Sequence, residues 1–237
     1  DGQIRSFDGT SWTTHELDWA DITPPGSDDP YAMLIDDLPD DMVCATWETW
    51  YDDGYERQTT LACFAGSTWT EHQIFRDFPS VLGIAGGPDG DLWVGASSSG
   101  ASVLMRGRGD AWAEVELPSA PMWSAPATGT DGTLWTTVVR SDDGGSGCSA
   151  LARLTDGAWS TFVPDDPGMC GLALFGLEVA ADGAVWFAGN GVISFDGEEW
   201  RSYLPGTFPM DIAIAPDGTV WVAAAEGVYV IRPPVTG

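Results

Sequence analysis

Lysine is missing from this chain of 237 residues, and nine arginines carry all of its fixed positive charge. The absence excludes Schiff-base and lysine-nucleophile chemistry. Against those nine stand 36 acidic residues, for a net charge of −27. Such a field repels phosphate backbones and anionic lipid, so nucleic acid is a poor partner. Cations and basic protein surfaces suit it better; the plainer reading of the charge is solubility. No run is long and apolar enough to span a bilayer, so membrane insertion is not expected. Helical periodicity is missing as well. So are the nucleophile elbow, the zinc-protease helix, the P-loop and the dinucleotide fingerprint.

Histidine occurs only as His15 and His72, each three residues after a tryptophan, Trp12 and Trp69. The matching positions elsewhere hold Val115, Phe162 and Tyr203. Strand alternation puts this position on the face opposite the tryptophan, so both histidines read as packing residues. Cysteine is scarce too, and no C-x-x-C or Cys/His spacing for a metal appears. The four cysteines permit three pairings. A hairpin turning at Asp53-Gly54 sets Asp52 against Tyr55, and counting outward sets Cys44 against Cys63. Cys148 then starts a c strand and Cys170 lies in the loop before the next a strand; the b–c and d–a loops share one face of a propeller, so this pair can also meet. Two bridges imply an oxidising compartment; the alternative is four buried thiols in a cytosolic protein.

What the chain has in plenty is Asp-Gly followed by tryptophan. Residues 179–205, VAADGAVWFAGNGVISFDGEEWRSYLP, read as four short strands, a to d. Strand a ends near Ala181, strand b covers 184–189, strand c 192–195 and strand d 199–204. The turns are Asp182-Gly183, Asn190-Gly191 and Asp196-Gly197, with Asn190-Gly191 expected as a two-residue type I′ loop. The b-strand mark recurs at Trp93, Trp135, Trp186 and Trp221, and the d-strand mark at Trp12, Trp69, Trp112, Trp159 and Trp200. Successive marks lie 35 to 57 residues apart. Four strands at that period predict an all-β fold, a β-propeller of stacked four-stranded blades. The marked tryptophans, with Trp47 on the b strand of the first blade, are expected between blades or at their rims.

In chain order, residues 1–17 give a c and a d strand, and 18–31 a long acidic, Pro-rich loop. Blades follow at 32–75, 81–117, 123–163 and 172–204, and 211–232 supplies strands a, b and c. Pairing 12–17 with 228–231 would make a fifth blade from about 209–233 plus 1–17 and close the ring in a single domain, 1–237. Both ends also offer a c strand, so one must be displaced or the segment belongs to a larger propeller. Asp1-Gly2 occupies the place of Asn190-Gly191, as expected of a mature or trimmed segment.

The repeat D-G-x-[LV]-W-x₅₋₇-G-[VL]-x₃-[DG]-G-x-x-W resembles the two-component regulator propeller repeats, and more loosely those of streptogramin lyases. The resemblance runs over nearly the whole chain and rests on structural motifs. It implies a propeller acting as an extracytoplasmic sensor or binding module, a domain of a larger signalling or surface protein. The lyases' catalytic His and Glu/metal set has no counterpart, because no suitable histidine is present.

Two groups of residues are candidates for a site. Aligned from each Asp-Gly turn, inner-strand positions expected to face the axis are Gly83, Ala85, Ala125, Ala127, Gly176, Glu178, Asp211 and Ala213. Glu178 and Asp211 stand out, with Asp36 as a third from the first blade. They suit a cation such as Ca²⁺, a glycosidase acid and base, or simple contact with channel water. The Asp142-Asp143 and Asp165-Asp166 runs read as solvated loops. The second group is aromatic: Trp19, Tyr31, Phe78, Trp123 and Phe208 lie on the d–a connections at one end. Aromatics beside carboxylates suit a protein hot spot or a sugar ring; otherwise they cap the blade cores. The expected function is thus a ligand- or protein-binding sensor module with a protein or glycan partner. The competing classes are a carbohydrate-active hydrolase or lyase using the axial carboxylates, and a spacer.

Overall fold

The computed structural model describes residues 4–7, 10–15, 31–38, 42–51, 56–65, 68–75, 80–98, 101–109, 111–118, 121–122, 124–140, 148–164, 175–189 and 191–232. Every regular element among them is a β-strand. The first two strands, β1 (Ile4–Phe7) and β2 (Trp12–His15), pair only with each other. Four antiparallel four-stranded sheets follow, each a meander, as the alternation of short strands and turns predicts. Blade one is β3 (Tyr31–Leu38), β4 (Met42–Tyr51), β5 (Glu56–Ala65) and β6 (Thr68–Phe75). Blade two is β7 (Ser80–Gly86), β8 (Leu92–Ser98), β9 (Ala101–Arg108) and β10 (Ala111–Val115). Blade three is β11 (Ala127–Thr128), β12 (Leu134–Arg140), β13 (Cys148–Thr155) and β14 (Ala158–Phe162). Blade four is β15 (Phe175–Val179), β16 (Val185–Gly189), β17 (Gly191–Phe195) and β18 (Trp200–Tyr203). A fifth sheet has three strands, β19 (Pro209–Ile214), β20 (Val220–Ala224) and β21 (Gly227–Ile231).

The a–b turns share one hydrogen-bond pattern. In blade three Gly129 N–H donates to Thr133 O, and Gly132 N–H donates back to Gly129 O. Residues 87–91, 180–184 and 215–219 repeat it. The aspartates serve these turns as expected: Asp131, Asp182 and Asp217 each accept the N–H two residues on, at 2.9–3.0 Å. The backbone N–H of Thr133 holds the Asp131 carboxyl below its ordinary pKa, as that of Thr219 does for Asp217.

Sheets cover one another face to face. Cys44, Leu61 and Cys63 of blade one pack on Ile84, Leu92 and Val94 of blade two. Trp93 and Ala85 meet Leu134 of blade three; Trp135 and Leu151 meet Val185, Phe187 and Phe195 of blade four; Trp186 and Val192 meet Ile212, Val220 and Val222 of the fifth sheet. Trp93, Trp135 and Trp186 of the b strands therefore point at the next blade. Trp112, Trp159 and Trp200 of the d strands point backward, and Trp200 stacks on Phe195 at 4.4 Å. Three residues later the chain faces forward again, with Tyr203 stacked on Trp186 at 5.0 Å. Val115 and Phe162 pack in the same forward sense. The side chains of His15 and His72 lie outside the described residues.

Several expectations are corrected. Strand β2 bonds to β1 and not to 228–231, so the described residues do not form the expected closing blade. A local hairpin satisfies the ladder without the loop-closure cost of joining the two chain ends. Trp221 and Trp12, both expected in or near blade cores, are 48% and 69% exposed. The Asn190-Gly191 pair is not a two-residue loop: Ala188 faces Val192 and Gly189 faces Gly191, placing Gly191 in β17. Its N–H is turned to Thr207 O instead. The inner strand of blade three is only two residues long, with a lone bridge at Met122 before it. Pro126 has no N–H to donate, and the Ser124 hydroxyl accepts the Thr137 N–H in place of a backbone carbonyl. The small inner-strand residues face neighbouring blades and not the axis: a Cβ on Gly83 would lie 2.1 Å from Ala125 Cβ. Sheets standing radially turn their faces sideways, so inner side chains point at the adjacent inner strand.

Candidate functional site

The connection from β18 to β19 builds a rigid apolar knob. Leu204 takes φ +48°, a left-handed conformation unfavourable for a leucine, and Gly206 takes +81°. Three bonds hold the turn. Thr207 N–H and Thr207 Oγ1 both donate to Leu204 O, at 3.2 and 2.8 Å, and Gly191 N–H donates to Thr207 O at 3.0 Å. The last bond ties the d–a turn to the b–c hairpin, so these two loops share one end of the blade, as expected. Pro209 is buried beneath the turn, which leaves Phe208 66% and Met210 61% exposed. A phenyl ring and a thioether held out in water by an ordered backbone lose little entropy when a ligand covers them.

Asp211 follows at the inner edge. Its Oδ1 accepts the Ile212 N–H at 2.9 Å and lies 2.9 Å from where a Cβ on Gly176 would be. Only a glycine at 176 admits this approach, and Gly176 sits two residues before Glu178 on β15. Glu178 opposes Trp186, and Asp211 opposes Ala223. The two expected carboxylates thus come from adjacent inner strands, Glu178 half-buried and Asp211 exposed. Asp36 lies on β3 opposite Cys44. Among the described residues no three His, Cys, Asp or Glu side chains cluster as a metal site would require.

Of the expected aromatic group, Phe208 stands exposed at the d–a end, and Tyr31 opens β3 opposite Glu48. Trp19, Phe78 and Trp123 lie outside the described residues. Met210 escaped the sequence reading, although the Phe-Pro pair common to Phe78-Pro79 and Phe208-Pro209 marks the same strand entry twice. The Cys44–Cys63 disulfide is formed, with the two residues directly opposed as the hairpin count requires. Cys148 begins the c strand β13 as expected; Cys170 lies outside the described residues.

At the opposite end the a–b turn of blade two carries an ion cluster. Asp91 accepts Arg106 Nε at 2.6 Å and Arg108 Nε at 2.5 Å, and Arg108 Nη2 donates to Asp89 O at 2.6 Å. Arg106 also lies over the Trp93 ring at 5.1 Å. Burial pushes the Asp91 carboxyl up, but the hydrogen bonds and charges of the two guanidinium groups outweigh it and hold the pKa below its ordinary value. Both guanidinium groups bond to this carboxylate, and Arg108 bonds also to the turn carbonyl of Asp89, so the cluster ties β9 to the turn.

Sheets of this kind, stacked around an axis, define the protein as a β-propeller. Solved propellers superpose on it over most of its length. A streptogramin B lyase matches with TM-score 0.67 and 17% identity, covering 99% of this chain and 77% of that one. Virginiamycin B lyase from Staphylococcus aureus gives 0.59 and 17%, covering 88% and 89%. YCF48 bound to D1 peptide gives 0.59 and 18%, covering 97% and 70%. Identities this low show the fold alone. No family model and no curated protein sequence matches the chain.

Proposed function

We propose that this propeller is an extracytoplasmic binding module that takes a protein or peptide ligand on its d–a end, around Phe208 and Met210. The observation that carries the reading is the exposed apolar pair on a hydrogen-bonded turn containing a strained leucine. Leu204 packs against the core between blade four and the fifth sheet, and its strained backbone holds the turn that presents the pair. The Cys44–Cys63 bridge supports an oxidising compartment, and the lysine-free, acidic surface favours a ligand with basic groups around an apolar centre. A propeller of this shape solved with a bound peptide shows that the fold admits such a ligand. The repeat's resemblance to the two-component regulator propellers extends the proposal to a sensor role within a larger surface protein. A glycan stacked on Phe208 is the variant that the same aromatic would serve.

The test is a screen of basic peptides and glycans against the protein, followed by calorimetry on Phe208→Ala and Met210→Ala. Loss of binding with unchanged circular dichroism supports the site. Hits bound equally well by both variants would move the ligand elsewhere.

A second reading has one observation behind it. Glu178 and Asp211 come from neighbouring inner strands, and propellers of this shape include lyases. In that reading the pair binds Ca²⁺ or acts as acid and base on a sugar. Asp211→Asn would then abolish a calcium-induced rise in melting temperature; no rise in the wild type would remove the cation.

A further inference from the structure

We propose that Met210 is a modification site: a peroxide oxidises its thioether to the sulfoxide, and the added oxygen switches off the apolar surface that Met210 forms with Phe208. The switch rests on the ligand-binding reading of that surface, whose regulation it supplies.

The methionines of the chain differ in how far an oxidant can reach them. Met122 is 3% exposed and lies against Gly95. Met42 and Met105 are partly buried and pack on the core between blades one and two. Met210 is 61% exposed. The side chains of Met33 and Met169 lie outside the described residues. An oxidant must reach the sulfur before it can react, so Met210 is oxidised ahead of Met42, Met105 and Met122.

Backbone geometry fixes that exposure. The ladder steps from Pro209 opposite Ala224 to Asp211 opposite Ala223, which leaves Met210 as the extra residue of a β-bulge. Pro209 before it and Ile212 after it are buried, so the strand is held while the thioether projects. An oxygen on this sulfur meets no core side chain, and the fold survives the modification. A ligand covering Phe208 and Met210 meets a changed surface. The thioether is apolar and adaptable. The sulfoxide is polar, and covering it with apolar groups forfeits its hydration.

The reaction needs nothing from the protein beyond an accessible sulfur. A sulfur lone pair attacks one oxygen of hydrogen peroxide, the O–O bond breaks, an S–O bond forms and water leaves. Sulfur loses two electrons and the peroxide gains them. The net charge of −27 repels anionic oxidants and leaves a neutral peroxide unhindered. The Cys44–Cys63 bridge supports an oxidising compartment, the setting such a switch requires. Reductases return methionine sulfoxide to the thioether, so the change is reversible.

Limited hydrogen peroxide treatment of the intact protein, followed by peptide mapping, tests the site. Met210 should be converted about tenfold faster than Met122 or more, with unchanged circular dichroism. Calorimetry with a hexapeptide alternating arginine and tryptophan, a basic and apolar probe, tests the switch. Oxidised wild type should bind this peptide about tenfold more weakly than untreated protein, and methionine sulfoxide reductase should restore the affinity. Met210→Leu, whatever its starting affinity, should bind equally before and after treatment. Conversion of Met210 no faster than that of Met122 overturns the proposal. So does unchanged binding by oxidised wild type, and so does an equal loss in oxidised Met210→Leu, which would place the sensitive residue elsewhere. Phe208→Ala separates the switch from the ligand reading beneath it. If untreated wild type ignores the peptide, or untreated Phe208→Ala binds it as tightly as wild type, the ligand surface is misplaced and the switch falls with it. If Phe208→Ala binds weakly while oxidation of the wild type changes nothing, the switch alone falls.

Discussion

The backbone N–H of Gly191 meets the carbonyl of Thr207 at 3.0 Å, and through that bond the b–c hairpin of blade four holds the turn that presents Phe208. Gly191 adopts φ +93°, and a Cβ there would lie 2.9 Å from Tyr203 O and 3.0 Å from Leu204 O. Gly191→Ala therefore combines backbone strain with a clash against main-chain oxygen. It should destabilise the protein by about 1–3 kcal/mol, read from urea unfolding. It should also weaken any ligand held by Phe208 by loosening the turn; unchanged stability would mean the turn is not anchored there.

Phe208→Ala and Met210→Ala remove exposed side chains from a turn whose bonds are all backbone or Thr207. Stability should change by less than about 0.5 kcal/mol in each case. Ligand affinity should fall by about 1 kcal/mol or more, measured by calorimetry beside a denaturation curve for each variant. A large loss of stability would reassign the two residues to packing.

The Asp91 cluster makes part of the stability depend on pH. The folded carboxyl titrates below the ordinary value of about 3.9. Its contribution is thus fully present above about pH 4 and lost as pH falls through the lower folded pKa. Asp91→Asn should lower stability at neutral pH and flatten the acid limb of the stability curve. Equal slopes for the two proteins between pH 5 and 2 would show that the arginines leave this carboxyl unperturbed.

Removing the Cys44–Cys63 bridge, which closes a separation of 19 residues, should cost about 2–4 kcal/mol. Thermal unfolding of a Cys44→Ala/Cys63→Ala variant measures it. Peptide mapping without reductant also shows whether Cys148 and Cys170 are joined. Four free thiols in protein from an oxidising compartment would remove the basis for the extracytoplasmic reading.

At the axis, Gly83→Val should be the most damaging of the small inner-strand changes. Its side chain would enter space held by Ala125 Cβ at 2.1 Å and Ala125 Cα at 2.8 Å. Overpacking of this kind costs about 1–3 kcal/mol or more, visible as a lowered urea midpoint. Gly109→Val would be a poor control because φ there is +57°; Ala111, exposed on β10, is the better site for one.

The sequence by itself determined the repeat, the strand order within each blade and the opposition of Cys44 to Cys63. All of these follow from short-range rules: Asp-Gly turns, period-two alternation and residue counting across a hairpin. It also located Phe208, because an aromatic outside both tryptophan marks has no place in the repeat. Tertiary structure alone decided whether a marked tryptophan is covered. Trp186 and Trp221 occupy the same position in near-identical turns, yet one is 4% and the other 48% exposed. Burial depends on what stands against the face, which no local pattern encodes. The same reason separates β2 from β21: each reads as half of a blade, but pairing them is a long-range choice, and β2 bonds to its hairpin neighbour β1. The facing of the inner-strand residues was likewise hidden, since alternation says which positions share a face and not whether that face meets the axis or another blade.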